Sequence, residues 1–170
     1  MNVRPLLPAL SVFALLSACA YPKTIGEYRQ MHQDHPDFPG AKRESFQIAQ
    51  PLNQVAQHVK KKASECLNAS FRFTERTNTS ISSGITRYQP FANISAERAE
   101  IYVTQSGLTP SGKERGLIYY IFLLDLTPIS KAKTKAELYY SWGEPSPRTA
   151  KAVRAWATGQ DVGCPNLAAE

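Results

Sequence analysis

Residues 117–142 read LIYYIFLLDLTPISKAKTKAELYYSW, and this stretch decides the fold. Its first part, Leu117 to Leu124, is apolar throughout, the pattern of a central strand covered on both faces. Its last part alternates, with Ala136, Leu138, Tyr140 and Trp142 on one side and Lys135, Glu137, Tyr139 and Ser141 on the other. That is the period of a strand with one face packed. Two strands so close in sequence pair as an antiparallel hairpin.

Shorter strands precede them. Ala99, Ile101 and Val103 alternate against Arg98, Glu100 and Thr104, and Phe71 and Phe73 against Arg72 and Thr74. Residues 85–94 form a weaker strand whose Pro90 predicts an edge position or a bulge, because proline has no N–H for the ladder. A first strand is expected over Ser45 to Ala49. Between it and Phe71, Leu52, Val55, Ala56, Val59, Ala63, Cys66 and Leu67 recur at a helical period, predicting a helix from Pro51 to Leu67. A second helix is expected from Ser146-Pro147, with Ser146 as its cap, Ala150, Val153, Trp156 and Ala157 as its buried stripe and Gly159 ending it. The order is β-α-β-β-β-β-β-α. It implies one α+β domain over residues 44–170, a mainly antiparallel sheet of five to six strands with two helices packed on one face.

This order resembles helix-grip folds. Small envelope lipoproteins such as the C component of the barrel-assembly machinery carry domains of related pattern, and the likeness is one of architecture alone.

The beginning of the chain carries an address. Arg4 precedes a short apolar core, Leu6 to Leu16, which is too short for a spanning helix and is soon followed by Lys23, Glu27 and Arg29. Leu16-Ser17-Ala18-Cys19 then resembles the lipobox of bacterial lipoproteins. The resemblance implies a signal peptide over residues 1–18, cleavage before Cys19, diacylglycerol on its thiol and an acyl chain such as palmitate on the new amino group. Two or three chains give stable anchoring where one is marginal. Ala20, in place of the Asp that favours inner-membrane retention, implies the periplasmic face of the outer membrane in a Gram-negative host. Residues 19–43 are polar and hold Pro22, Pro36 and Pro39, the composition of a flexible tether that lets the domain stand clear of the bilayer.

Loss of residues 1–18 leaves 19 basic against 14 acidic side chains, net +5. The surplus suits anionic lipid or an acidic partner surface, with Lys60, Lys61, Lys62 and Lys131, Lys133, Lys135 as the candidate contacts. Export argues against nucleic acid. Cys66 and Cys164, the pair left after lipidation, are expected to form a disulfide in an oxidising compartment.

Catalytic and ligand signatures are weak. Gly107 to Glu114 comes within one residue of a phosphate-cradling loop, but Glu114 replaces the magnesium-binding hydroxyl and the segment leads into a strand, so a hairpin loop is expected and no nucleotide. His32, Asp34, His35 and Asp37 have ligand chemistry but fall in the tether, and no metal site is assigned. His58 lies off the apolar stripe, with no nucleophile elbow to serve. Tyr119, Tyr120, Phe122, Tyr139, Tyr140, Trp142 and Trp156 mostly build the core, while Tyr139 and Tyr119 or Tyr120 are candidates for a groove on the opposite face. The expectation is a non-enzymatic envelope module, without cofactor, that binds another protein or supports an envelope complex. The alternative is a carrier or sensor of a small apolar ligand in a pocket between helix and sheet.

Overall fold

The computed structural model describes residues 21–34, 40–76, 81–108, 114–143 and 145–168. In chain order they form α1 (Ile25–Asp34), β1 (Ala41–Ile48), α2 (Leu52–Cys66), β2 (Ala69–Arg76), β3 (Ile81–Ile94), β4 (Ala99–Leu108), β5 (Glu114–Ser130), β6 (Lys133–Ser141) and α3 (Ser146–Ala157). The six strands make one open antiparallel sheet in the order β1-β6-β5-β4-β3-β2. The class is α+β.

Helices α2 and α3 cover one face. The α2 stripe of Leu52, Val55, Ala56, Val59 and Ala63 is buried in one cluster with Ile101, Val103, Leu124, Leu126, Leu138 and, from α3, Ala150, Val153, Trp156 and Ala157. A bulge in β5 serves this face. Val103 pairs with Phe122 and Thr104 with Tyr120, so Ile121 is the extra residue and both Ile121 and Phe122 enter the core. Gly159, at φ 83°, ends α3 as expected. The tail then returns along α2 and α3, where the Trp156 Nε1–H donates to the Val162 carbonyl at 3.0 Å. Cys66 and Cys164 stand at disulfide distance, with Cα atoms 5.0 Å apart.

Four expectations need correction. Two helices on one face become three helices on two faces: α1 lies on the other face, against β5 and β6, where Tyr28, Leu123 and Tyr139 form a second buried cluster. The tether over residues 19–43 therefore contains a docked helix, and the first strand starts at Ala41, not near residue 44. Ser146 makes no side-chain cap; the Ser146 and Thr149 amides donate instead to the Gly143 and Pro145 carbonyls. Trp142 is 68% exposed although alternation groups it with Leu138.

Pro90 is instructive. β3 is an interior strand of the sheet, but β2 pairs with it only as far as Tyr88. At Pro90 the strand has β4 on one side, through Val103, and no neighbour on the other. The missing N–H falls where no ladder needs it. Pro128 sits likewise in β5, past the point where β4 begins at Ala99 opposite Leu126.

Candidate functional site

Helix α1 starts with a cap that its sequence spells out. The Thr24 hydroxyl accepts from the Glu27 amide at 3.1 Å, and the Glu27 carboxylate accepts from the Lys23 amide at 2.6 Å. Capping sets the helix so that Ile25, Tyr28 and His32 fall on one side and meet the sheet. Rings then continue across that face. Phe91 stacks on Tyr102 at 5.2 Å between centroids, Tyr102 meets Tyr120 at 6.0 Å, Tyr120 meets Tyr28 at 5.3 Å, Tyr28 meets His32 at 4.4 Å and His32 meets Tyr139 at 5.9 Å. Burial raises the phenol pKa values of Tyr28, Tyr102, Tyr120 and Tyr139.

A cluster of charges fixes the helix beside this row. The Arg29 guanidinium donates from Nε to Asp125 Oδ2 at 2.6 Å and also to Glu100. Arg98 donates to the same Asp125 oxygen at 2.9 Å and lies 3.2 Å from Glu100. Two cations face two carboxylates, and Asp125 is 5% exposed. Burial opposes the Arg29 charge, but Asp125 and Glu100 outweigh it and raise its pKa. The group balances itself and holds α1 down. It offers no unpaired acid or base for chemistry.

A similar balance operates at Glu137. Burial alone would raise its carboxyl, but the donors Arg43 at 2.6 Å and Lys135 at 3.2 Å together hold it below the usual carboxylate range. A depressed folded pKa gives stability above the unfolded value of about 4.3, lost as pH falls through the lower folded value. Urea unfolding should therefore show the largest deficit of Glu137→Gln near neutral pH, shrinking below about pH 4. A deficit that is constant over this range would deny Glu137 that part.

Two of the surface recesses flank the helices α1 and α3. The first, about 320 Å3, lies where α1 meets the end of β5 and β6, lined by Tyr21, Tyr28, Met31, Ile118, Tyr119 and Trp142 among others. Tyr21 meets Tyr119 edge to face at 5.4 Å. Gly40, at φ 117°, lies so close to Trp142 that a Cβ there would stand 2.7 Å from its indole. The second recess, about 620 Å3, runs along α3 and the tail. Its walls are Ala152, Ala155, Val162 and Pro165, and Arg148, Lys151 and Arg154 also line it. Arg154 pairs with Glu44, whose other oxygen accepts from the Tyr140 hydroxyl at 2.7 Å. Burial first, and Glu44 next, push the Tyr140 phenol up to about 12.

The expected site residues scatter. Lys60 and Lys61 are exposed on α2, and Lys62 pairs with Asp161. Lys131 and Lys133 are exposed at the β5–β6 hairpin, and Lys135 faces Glu137. The two basic clusters thus occupy different elements. Tyr139, expected in a groove, is buried beneath α1, whereas Tyr119 and Tyr120 line the first recess. His32 is 1% exposed, its ring nitrogens 2.9 Å from the Tyr28 carbonyl and 3.2 Å from that of Tyr140. Asp34 accepts from Gln30 at 2.7 Å, while His35 and Asp37 lie outside the described residues. Among the described residues no group of three His, Cys, Asp or Glu side chains is placed to hold a metal. Gly107 is in β4 and Glu114 opens β5, with 109–113 outside the described residues; a strand, not a helix, follows the glycine-rich segment. His58 remains on α2, its Nε2 buried and without a hydrogen bond. The Arg29 to Asp125 cluster and the α3 recess have no counterpart in the expected sites. An acid inside the apolar run FLLDL, residues 122–126, was the available signal for the former.

No family model matches this chain, and no curated protein matches it. Among solved structures, a START superfamily protein from Mycobacterium smegmatis aligns with 71% of this chain and 92% of its own, at 9% identity and a TM-score of 0.35. A superposition that loose carries no argument about function.

Proposed function

We propose that this chain is a lipid-anchored, non-catalytic module of the cell envelope, tethered through Cys19 at the periplasmic face of the outer membrane. Its task is to hold an acidic segment of another envelope protein in the recess along α3. That recess carries the reading: an apolar floor of Ala152, Ala155 and Val162 flanked by Arg148, Lys151 and Arg154, large enough for several side chains. Apolar burial supplies affinity there, and Lys151 on the rim, beside an Arg154 already paired with Glu44, selects a partner bearing carboxylates. An oxidising compartment fits the Cys66 and Cys164 pair, whose chain neighbours Gly163 and Pro165 line the recess. We read the arrangement of α2 and α3 across one face of the sheet as helix-grip-like. The space that an apolar cargo would need between α2 and the sheet is occupied by the packed cluster of Val55, Val59, Ile101, Val103 and Leu124, which favours the partner-binding reading over the carrier.

A photo-crosslinking residue placed at Ala155 should give a discrete protein adduct in intact cells, and Lys151→Glu should remove it. The same residue at Lys60, on the far side of α2, should give none. Equal adducts from both positions, or an adduct indifferent to Lys151→Glu, would reject the recess as the binding surface.

A further inference from the structure

We propose that the recess between α1 and the end of β5 and β6 is a membrane-contact site, and that the bilayer interface, not a protein, covers it. This inference rests on lipidation of Cys19.

Four large side chains are exposed together there: Tyr21 57%, Ile118 47%, Tyr119 43% and Trp142 68%. A concentrated exposed apolar patch on a small domain marks a contact surface. Its composition is that of the aromatic belts that settle at the headgroup level, where an indole or phenol keeps its polar end wet and its ring in the acyl boundary. The occupant follows from chain length. Cys19 is two residues from Tyr21, a span of about 7 Å at full extension. Because α1 is docked by Tyr28 and the Arg29 cluster, the slack between lipid and domain shrinks from more than twenty residues to the six from Cys19 to Ile25, and the contact of Tyr21 with Tyr119 shortens it further. An acylated Cys19 must then bring Tyr21, and the aromatic patch touching it, to the bilayer surface.

The same geometry divides the molecule into a membrane end and a distal end. β6 runs from Lys133 to Ser141, about 30 Å, so the hairpin that carries Lys131 and Lys133 lies at the opposite end of the strand from Trp142.

The chain has two tryptophans, exposed Trp142 and buried Trp156, so the emission lost in Trp142→Phe reports Trp142 alone. The lipidated mature chain would be reconstituted in vesicles of phosphatidylethanolamine and phosphatidylglycerol containing a doxyl-labelled phospholipid. The expected result is a blue-shifted Trp142 signal quenched by the doxyl lipid and shielded from aqueous acrylamide. A Lys133→Trp reporter in the Trp142→Phe background should stay sensitive to acrylamide and unquenched by doxyl. Ile118→Arg should weaken the doxyl quenching of Trp142 with the far-ultraviolet dichroism unchanged. Mass spectrometry of the same sample separates the two premises. A bare Cys19 would remove the lipid anchor and this contact with it; an acylated chain whose Trp142 stays open to acrylamide and unquenched by doxyl would overturn the contact alone.

Discussion

Substituting Asp125 with Ala is expected to destabilise the domain by about 2–3 kcal/mol and to release α1 from the sheet. Asp125 accepts from Arg29 at 2.6 Å and from Arg98 at 2.9 Å. Without it, two guanidiniums share Glu100, and one cation is left without a counter-charge in a largely dry site. Arg98 keeps 42% of its side chain in water, which screens part of that excess and sets the cost near the low end for a broken buried pair. Helix α1 has ten residues, too few to persist in water once detached. Hydrogen exchange over residues 25–34 and the rate of tryptic cleavage at Arg29 should rise together, while α2 and α3 stay protected. Asp125→Asn, which keeps the shape and loses the charge, should fall between. If exchange over α1 is unchanged in Asp125→Ala, then Ile25, Tyr28 and Met31 hold the helix without the charges.

The second large effect belongs to Cys66 and Cys164. Their sequence separation of 98 encloses a loop for which the chain-entropy model gives roughly 4.7 kcal/mol, and removal of native disulfides typically costs about 2–5 kcal/mol. The Cys66→Ser/Cys164→Ser protein should lose stability on that scale, and reductant should bring the parent chain down to the same urea midpoint while leaving the double variant unmoved. Two reactive thiols in denatured, unreduced mature protein would show that the bond is not made. The loss should be more than global. The tail that Cys164 ties to α2 supplies Val162, Pro165 and Asn166 to the recess on α3, so adducts from Ala155 should weaken even where the variant is still folded.

Most of the sheet was legible because its signals are local. The unbroken apolar run before Asp125 marks a strand covered on two faces, and from Ile121 to Leu124 β5 is buried with helices on both sides, whereas Ile118 and Tyr119 at the start of the run are exposed. The stripe from Leu52 to Ala63 marks α2, and the glycine at position 159 marks the end of α3. The first helix was missed although Thr24-x-x-Glu27 and the spacing of Ile25, Tyr28 and His32 are both present. Pro36 and Pro39 weighted the whole stretch toward a linker, and the helix owes its place to partners far away in sequence, Glu100 and Asp125. No window around residue 29 contains them. Trp142 failed for a different reason. The alternation that buries Leu138 and only partly buries Tyr140 ends with β6 at Ser141; the Trp142 amide still donates to the Gly40 carbonyl at 3.0 Å, but the indole lies against Gly40 and stays exposed. The α3 recess was illegible because half of its wall is a tail with no regular period.

An open sheet leaves two backbone ladders unsatisfied at its borders, the outer sides of β1 and β2. In dilute solution this matters little. Crowded into one plane, copies of such a domain collide border to border, and bare strands of this kind template one another into aggregates. Here Lys42 stands on β1, beside an Arg43 already paired with Glu137, and Arg72 interrupts the two phenylalanines of β2, so a cation stands on each border strand where two copies would approach side by side. On a chain anchored through Cys19 as proposed, that repulsion would act as a spacer, keeping neighbours apart in the plane where the lipid would otherwise bring them together.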